Sequence, residues 1–552
     1  MTITEERSEV ETVSAAAEPV PSGIESLLSV GDHKPIGRYW ISVGSLFLVV
    51  SLALTVIASF EAVDLGSMSF LENTDEYVQV GSLAQELLLF GALIPILVGI
   101  GIYIVPLQVG AASLAYPRGA AGAFWTWLVG CSLLIVSYVA NGGAGGGRTD
   151  FIELWVLSLG IVIGSIIWAL VCIATTVMGV RAAGMTMSRV PATSWSFLVF
   201  SLLGILILPV TLAELVITYA RFSAGFVQLG DTQALANVLR GVQSAPTVFW
   251  VAVPALGILV DAISTSSGSP VKFHRVVLGA VGLAGIASFG VNVVGFGTVR
   301  EPSYDNLLFV LDTGLIVLPI LAIVGLLLVK IKPDANTRRS VTPFAGLISG
   351  LFLLAASGAA LLGTVKPVAV GLEELGFLEP TRILVVNGTT FDQGIRAAVF
   401  GSILLALIAG LNHWSIKIWG RYLNQPFLSL ATLAAAGGTA LWSVGNIAAG
   451  IDDQKAFPAT EPTGGSQVEL FSQVAALGAV AVLGAAALLF ISVVQQPKAE
   501  AAVPKDQLRW VGFTLEWMTE SPPAVGNFTV PPLVSSANPV SDAIAINEGA
   551  EE

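Results

Sequence analysis

Long apolar runs alternate with short polar connections along most of this chain. Twelve runs have about the length, ~20 residues, that an α-helix needs to cross a bilayer. The runs are too long for β-strands, and their Gly and Ala content suits close helix packing, so the pattern predicts a helical bundle rather than a barrel. The predicted spans are 39–63, 79–107, 122–141, 152–178, 194–220, 244–265, 275–298, 306–329, 343–364, 389–411, 425–448 and 468–494.

The composition supports this assignment to the membrane proteins. Among 552 residues, 54% are hydrophobic and 11% are charged, which leaves too little polar surface for a soluble globular protein of this length. Cys131 and Cys172 both fall inside predicted spans, so they are expected to be buried apolar side chains rather than a disulfide pair. The sequence therefore predicts a multipass membrane protein whose first partner is the lipid bilayer.

The basic residues predict an orientation. If both termini are cytoplasmic, that side carries seventeen of the 25 Lys and Arg residues and the opposite side carries seven. The net charge of −13 comes largely from the first ~30 residues, the outer loops and the carboxyl tail, so nucleic acid is not an expected partner. The acidic residues 1–30 lack an apolar core, and the first span is expected to act as an uncleaved insertion signal in a prokaryotic plasma membrane.

The same pattern divides the chain into three parts. Residues 1–38 are predicted to form a cytoplasmic amino-terminal segment, and residues 39–495 a twelve-helix membrane domain. Residues 496–552 are predicted to form a cytoplasmic, partly disordered carboxyl tail, since they are polar and end in acidic residues.

Local motifs at the ends of the spans are more specific. They are Asp32 to Gly37 (DHKPIG), Pro106 to Gly110 (PLQVG), Tyr116 to Arg118 (YPR), Arg181 to Trp195 (RAAGMTMSRVPATSW) and Thr514 to Trp517 (TLEW). In this order and spacing, from about residue 31 to 530, the chain resembles subunit I of the heme-copper cytochrome c oxidases. The resemblance implies a twelve-helix oxidase fold, and it implies oxidase subunits II and III, or their paralogues, as partners.

The resemblance also implies where cofactors would be held. Members of that family bind two hemes and one copper through six histidines inside the bilayer, because imidazole nitrogen suits both metals. This chain has three histidines, His33, His274 and His413, none in the middle of a predicted span, and they are expected to be structural or solvent-facing. Carried over from the neighbouring motifs, the ligand positions hold Ala84, Ala245, Gln393 and Ile395, and the paired copper positions hold Phe289-Gly290 or Val291-Asn292.

Other functional positions of the family are changed as well. The acid that admits protons near the second span matches Ser113, and the channel lysine of the eighth span matches Ile316. The arginines that face the heme propionates match Asp452-Asp453, whose negative charges would repel a propionate. These substitutions predict no catalytic residue, no metal site and no bound cofactor, with heme and copper, as in the family, as the alternative.

Several ionisable residues fall inside predicted spans, where such residues are costly and usually paired or functional. They include Glu86, Glu214, Asp261, Asp392 and Arg396. Glu86 follows one lost ligand position by two residues and Arg396 follows another by one, so a Glu86–Arg396 ion pair is predicted to fill part of the vacated heme site.

Three functions are compatible with these patterns. The preferred hypothesis is a degenerate, non-catalytic subunit I, a pseudoenzyme that serves as a structural or assembly subunit of a respiratory-type complex for electron transport. The first alternative is an active terminal oxidase that reduces oxygen with unorthodox ligands. The second is a carrier or channel that uses the vacated heme cavity and its charges.

Overall fold

The chain folds into a bundle of long helices. The computed structural model describes residues 31–63, 70–143, 146–225, 247–296, 302–330, 341–363, 388–457, 463, 465, 467–495, 512–528 and 531–542. Within these ranges the only β pairing is an isolated bridge between Thr389 and Lys455. The prediction of an all-α membrane protein is confirmed.

The helices follow one another with short connections. In chain order they are α1 His33–Glu61, α2 Thr74–Glu86, α3 Ile94–Gln108, α4 Pro117–Val139, α5 Thr149–Gly179, α6 Ala192–Ser223, α7 Val253–Ser266, α8 His274–Phe296, α9 Pro302–Lys330, α10 Val341–Gly363, α11 Thr390–His413, α12 Ser415–Trp419, α13 Gln425–Ile451 and α14 Val468–Val494. A π-helical segment, Leu87–Leu93, joins α2 to α3, and 3-10 turns are present at Met187–Arg189, Thr247–Ala252 and Leu515–Met518.

Polar side chains define several helix starts. Asp32 accepts a hydrogen bond from the Lys34 backbone N–H at 3.2 Å, and Asn424 accepts one from the Phe427 N–H at 3.2 Å. Such N-caps satisfy backbone donors that have no partner inside the helix. Because Asp32 caps α1, this helix begins at His33, inside the segment predicted to precede the membrane domain.

Ten helices of the described chain are long and apolar enough to cross a membrane. The predicted seventh and eighth spans fall on α8 and α9, in which the apolar stretches 274–289 and 314–330 are shorter than a span, so the predicted count of twelve is not confirmed. Almost all residues in the most apolar part of the second, sixth and tenth predicted spans are buried, whereas about half are buried in the other helices of spanning length. These three central segments carry Glu86, Asp261 and Arg396.

The π-helical segment in the second span has a local cause. Pro95 has no N–H with which to continue the α-helical ladder, and the Ile94 N–H donates to the Leu89 carbonyl, five residues earlier. This leaves the Phe90 carbonyl without a helical donor, and the Trp127 indole donates to it at 3.0 Å. The second span is therefore widened next to Glu86 and stabilised from α4.

Part of the predicted carboxyl tail packs against the bundle. Leu515, Trp517, Val534 and Val540 are all buried, and the Val534 N–H donates to the Ala183 carbonyl at 2.9 Å. Residues 512–542, as far as they are described, therefore form a strap across the end of the bundle where α3 ends and α6 begins. The predicted disorder of the tail concerns residues outside those that the structure describes.

Candidate functional site

Two of the ligand positions that the resemblance implies meet in a cleft between α1, α2, α11, α13 and α14. Ala84 and Gln393 both line it, and its volume is about 110 Å³. Arg396, Gln85 and Lys455 supply polar groups. The remaining side chains are mostly apolar or aromatic and include Tyr77, Leu88, Phe400, Trp442 and Phe457.

The side chains at these positions do not fit a heme. Ala84 and Ile395 are both 2% exposed and have no donor atom for iron, and Gln393 offers an amide rather than an imidazole. The cleft is also smaller than the ~150 Å³ cavity that holds a benzene molecule. Ala245, the expected copper-ligand position of the sixth span, and the side chains of residues 290–292 lie outside the described residues.

Glu86 has partners that the sequence did not reveal. The Tyr138 hydroxyl donates to its Oε1 at 2.8 Å, and the Trp155 indole donates to Oε1 at 3.2 Å and to Oε2 at 3.1 Å. All three side chains are buried. The aromatic donors of α4 and α5 therefore satisfy this carboxyl group inside the span.

The predicted Glu86–Arg396 ion pair is wrong. Arg396 donates to the Gln85 Oε1 at 3.3 Å, so its guanidinium lies on the side of α2 that faces the cleft. Glu86 is the next residue along the helix and its carboxyl group faces α4 and α5 instead, because adjacent helical residues point about 100° apart. Arg396 lines the cleft, whereas the Glu86 carboxyl group lies outside it, between α2, α4 and α5.

Asp261 belongs to a second buried cluster, at the opposite end of the bundle. Its Oδ2 accepts hydrogen bonds from the Thr193 N–H at 3.0 Å and from the Gln108 side chain at 3.4 Å. Gln108 also donates to Glu516 Oε1 at 3.0 Å. Glu214, another of the predicted charges, is half-buried in the second half of α6 and belongs to neither cluster.

Two further substituted positions have structural roles. Ile316, which the resemblance places at the channel-lysine position, is 1% exposed and packs in the core of the bundle. Asp452 accepts a hydrogen bond from the Gln467 N–H at 3.3 Å, and its own carbonyl accepts one from the Gly465 N–H at 2.9 Å. Asp452, which the resemblance places where the family has an arginine facing the heme propionates, therefore organises the loop between α13 and α14.

The histidines are structural where the structure describes them. His33 is fully buried, which excludes a solvent-facing role, and His274 Nε2 lies 3.0 Å from the Val190 carbonyl. The His413 ring packs edge-on against Trp414 and Trp517, with centroid separations of 4.9 and 5.2 Å. Among the described residues, no group of three or more His, Cys, Asp or Glu side chains is arranged to hold a metal ion.

Sequence reasoning missed Gln85, Tyr138, Trp155, Gln108 and Glu516. Gln85 and the two aromatic residues carry no motif, since a Tyr or Trp in a span is usually part of an interfacial belt. Gln108 and Glu516 lie within the PLQVG and TLEW motifs, so their presence was visible. Their contact with each other, across more than 400 residues of sequence, was not.

Comparison with known proteins agrees with the resemblance. A heme-copper oxidase subunit I+III of Aeropyrum pernix is 25% identical over 93% of this chain, and the chain spans 62% of that longer protein. The cytochrome c oxidase subunit 1 of Corynebacterium diphtheriae is 26% identical over 96% of this chain and 95% of the relative. That of Thermostichus vulcanus is 24% identical over 91% and 90%, respectively.

The fold is shared with a solved structure. A heme-copper terminal oxidase dimer, determined by cryo-EM, superposes with a TM-score of 0.61 and covers 85% of each chain. The sequence identity is 15%, so this similarity concerns the fold.

The expectation that no cofactor is bound is corrected by these comparisons. Relatives that match more than nine-tenths of the chain are cytochrome c oxidases or heme-copper oxidases, and heme and copper are the cofactors of that group. Ala84, Gln393 and Ile395 stand where the resemblance places imidazole ligands, and their side chains do not establish that the protein has lost its cofactors.

A family model decides the membership of the chain. The model for the cytochrome c and quinol oxidase polypeptide I matches residues 35–487, which includes every helix from the start of α1 into α14. The chain therefore belongs to the cytochrome c and quinol oxidase polypeptide I family.

Proposed function

We propose that this subunit I-like membrane protein acts as a non-catalytic structural or assembly subunit of a respiratory-type membrane complex. The supporting observation is the cleft, where Ala84 and Gln393 stand at positions that the resemblance assigns to heme ligands. The framework around the cleft matches the family model over residues 35–487 and shares the fold of a heme-copper terminal oxidase.

The partners follow from the same resemblance. We expect oxidase subunits II and III, or their paralogues, to bind the bundle in a prokaryotic plasma membrane. The Aeropyrum pernix relative joins subunits I and III in one chain, which supports contact between a subunit I bundle and a subunit III-like protein.

The test separates assembly from catalysis. The gene for this protein should be deleted from the host and restored as wild type or as Gln393→Ala. The amounts of subunit II-like and III-like proteins in the membrane are then measured. We expect deletion to lower these amounts severalfold, and both restored forms to recover them. Unchanged partner levels after deletion would contradict the assembly role. If the purified complex reduces oxygen, and Gln393→Ala lowers that rate, the oxidase alternative is favoured instead.

A transport role is the second candidate because the cleft places Arg396 and Lys455 around a small space. Anion flux into vesicles that contain the purified protein, lost in Arg396→Gln and retained in Lys330→Gln, would support it. Lys330 is the matched control because it lies at the far end of α9, bonded to the Ser269 and Pro270 carbonyls at 2.7 Å.

A further inference from the structure

Two carboxyl groups share one amide at the end of the bundle that carries the strap. The Gln108 Nε2 donates to Asp261 Oδ2 at 3.4 Å and to Glu516 Oε1 at 3.0 Å. Gln108 and Glu516 are fully enclosed, and Asp261 is 7% exposed. Three distant parts of the chain, α3, α7 and the strap, thus bring two acids together in a space without solvent.

The orientation of the shared amide is fixed by its other end. The Gln108 Oε1 accepts hydrogen bonds from the Ser194 N–H at 3.2 Å and from the Ser194 hydroxyl at 2.7 Å. A flipped amide would place its NH₂ against a backbone N–H and its oxygen against both carboxyl groups. The donor nitrogen must therefore face Asp261 and Glu516.

The two carboxyl groups have different environments. Asp261 faces the first turn of α6, where the Thr193 N–H donates to it at 3.0 Å, and a helix N-terminus favours a negative charge. Glu516 Oε1 accepts from Gln108 and from the Trp414 indole at 3.2 Å. Glu516 Oε2 is buried and has no hydrogen-bond partner among the described residues. The surroundings thus favour an ionised Asp261 and a neutral Glu516.

Within the described residues, neither Asp261 nor Glu516 forms an ion pair that would neutralise a second negative charge in the site. The charged groups that act on the site are Lys417 of α12 on Glu516 and Lys330 of α9 on Asp261. Lys417 Nζ is bonded to the Thr519 carbonyl at 2.7 Å, and Lys330 Nζ to Ser264, Ser269 and Pro270. The His413 ring lies against Trp414 and Trp517 and adds no hydrogen bond to either acid.

We propose that Asp261, Gln108 and Glu516 form a binding site for one proton, carried by Glu516, and that its occupancy holds the strap against the bundle. Glu516 lies between the buried Leu515 and Trp517, so it cannot reach solvent without withdrawing them. When the proton leaves to solvent, a second negative charge stands opposite Asp261 in an enclosed site, which is costly. Release of residues 512–518 relieves that repulsion.

The direction of the pH dependence follows. Burial, together with the charge of Asp261, raises the pKa of Glu516 above its ordinary value. A raised folded-state pKa stabilises the bound strap below the ordinary glutamate pKa, and this contribution is lost as the pH rises through the folded-state value. Burial lowers the pKa of Lys417 to about 8, which acts in the opposite sense at higher pH. The contribution of Glu516 to the pH dependence is therefore measured as the difference between wild type and variants in which Lys417 is unchanged.

The experiment uses the full-length protein in lipid nanodiscs across a range of pH. Infrared difference spectra report the carbonyl stretch of a protonated carboxylic acid, and limited proteolysis with mass analysis reports release of residues 512–528. Wild type is compared at each pH with Glu516→Gln, which mimics the neutral acid, and with Asp261→Asn. Glu86→Gln is the matched control, since Glu86 is a buried carboxyl group outside this site.

We expect wild type to lose a carboxylic acid band and release the strap over the same pH interval. Glu516→Gln should lack that band and keep the strap bound throughout, whereas Glu86→Gln should leave both responses unchanged. 

Loss of the negative charge at residue 261 makes ionisation of Glu516 easier, so the proposal predicts that Asp261→Asn moves both responses to lower pH.

Two outcomes would overturn the proposal. One is a wild-type acid band that persists in Glu516→Gln, and the other is an equal pH response of the strap in wild type and Glu516→Gln. If Glu516→Gln does not fold, the direction of the shift in Asp261→Asn still decides, because an unchanged or higher pH interval contradicts repulsion between the two acids.

Discussion

At the residue scale, Glu86 shows how a carboxyl group is kept inside an apolar bundle. Its two oxygens accept three hydrogen bonds from Tyr138 and Trp155, which α4 and α5 bring to the second span. Sequence alone indicated that a charge in this position needs a partner. It could not identify the partner, because aromatic N–H and O–H donors are common in membrane spans and carry no pairing pattern.

Removal of the Glu86 carboxyl group should destabilise the protein. Glu86→Ala removes the carboxyl group to which two buried side chains donate, at a cost of about 1–3 kcal/mol for each lost hydrogen bond, whereas Glu86→Gln keeps an acceptor and should cost less. Thermal unfolding in detergent measures both. Ser132→Ala, at an exposed position of α4, is the control and should change little. Equal midpoints for Glu86→Ala and Ser132→Ala would contradict the assigned hydrogen bonds.

A double-mutant cycle distinguishes the observed partners of Glu86 from the one predicted from sequence. Glu86→Ala and Tyr138→Phe each remove a shared hydrogen bond, so their effects on the unfolding free energy should be non-additive by about 0.5–3 kcal/mol. Glu86→Gln and Arg396→Gln should be nearly additive, because the two side chains face different neighbours. Strong coupling in the second cycle would instead support the Glu86–Arg396 ion pair that was predicted from the sequence.

At the element scale, the crossing of α1 and α3 depends on glycine. A Cβ atom at Gly99 would lie 2.8 Å from the Gly37 carbonyl oxygen and 2.8 Å from Trp40 Cβ, and a Cβ at Gly37 would meet the Gly99 carbonyl at 2.8 Å. The two backbones therefore touch directly, as small residues allow in membrane helices.

Substitution of one of these glycines should separate the helices. Gly99→Ala should destabilise the bundle by about 1–3 kcal/mol, because overpacking forces the backbones apart. Gly164→Ala in α5 is the matched control, since nothing lies within 4 Å of its added Cβ. Alanine is the better helix former by about 1 kcal/mol, so the control should be neutral or stabilising. Opposite signs in thermal unfolding are expected, and a neutral Gly99→Ala would contradict the close crossing.

The apolar runs predicted most helices because a membrane span needs a long run of consecutive apolar residues. They did not predict the π-helical segment at Leu87–Leu93, whose stability depends on the Trp127 indole of another helix. The start of α1 at His33 was also missed, because its cap and its buried first turn depend on contacts outside the apolar run.

At the scale of the whole molecule, the strap joins residues that are far apart in sequence. Asn527 donates to the Ala111 carbonyl at 2.9 Å and accepts from Lys34 at 3.1 Å, and Lys417 donates to the Thr519 carbonyl at 2.7 Å. The strap therefore contacts the start of α1, the end of α3 and the connection after α11. It covers this end of the bundle.

Loss of the strap should weaken the bundle. Truncation after residue 511 removes the buried Leu515, Trp517 and Val534, and each large apolar side chain contributes about 1.5–3 kcal/mol on burial. Thermal unfolding should therefore occur at a clearly lower temperature. Truncation after residue 542 is the control and should have no effect on that temperature. Equal midpoints for the two truncations would show that the strap does not stabilise the bundle.

The proposed orientation can be tested directly, because both natural cysteines are buried. Val525→Cys in the strap and Lys455→Cys after α13 place single thiols at exposed positions on opposite ends of the bundle. In intact cells, a membrane-impermeant maleimide should label Lys455→Cys and reach Val525→Cys only after the membrane is opened. The reverse pattern would place the termini outside the cell.

The sequence by itself determined that this is a helical membrane protein of the oxidase subunit I family, because span length and the ordered motifs are local properties of the chain. Through the family resemblance, it also related Ala84 and Gln393 to heme-ligand positions, and the fold brings both residues to one cleft. Only the tertiary structure decided the partners of Glu86, Arg396 and Asp261. Hydrogen bonds between distant helices depend on how each helix is rotated and where it crosses its neighbours, and neither property is encoded in apolar runs or motif spacing.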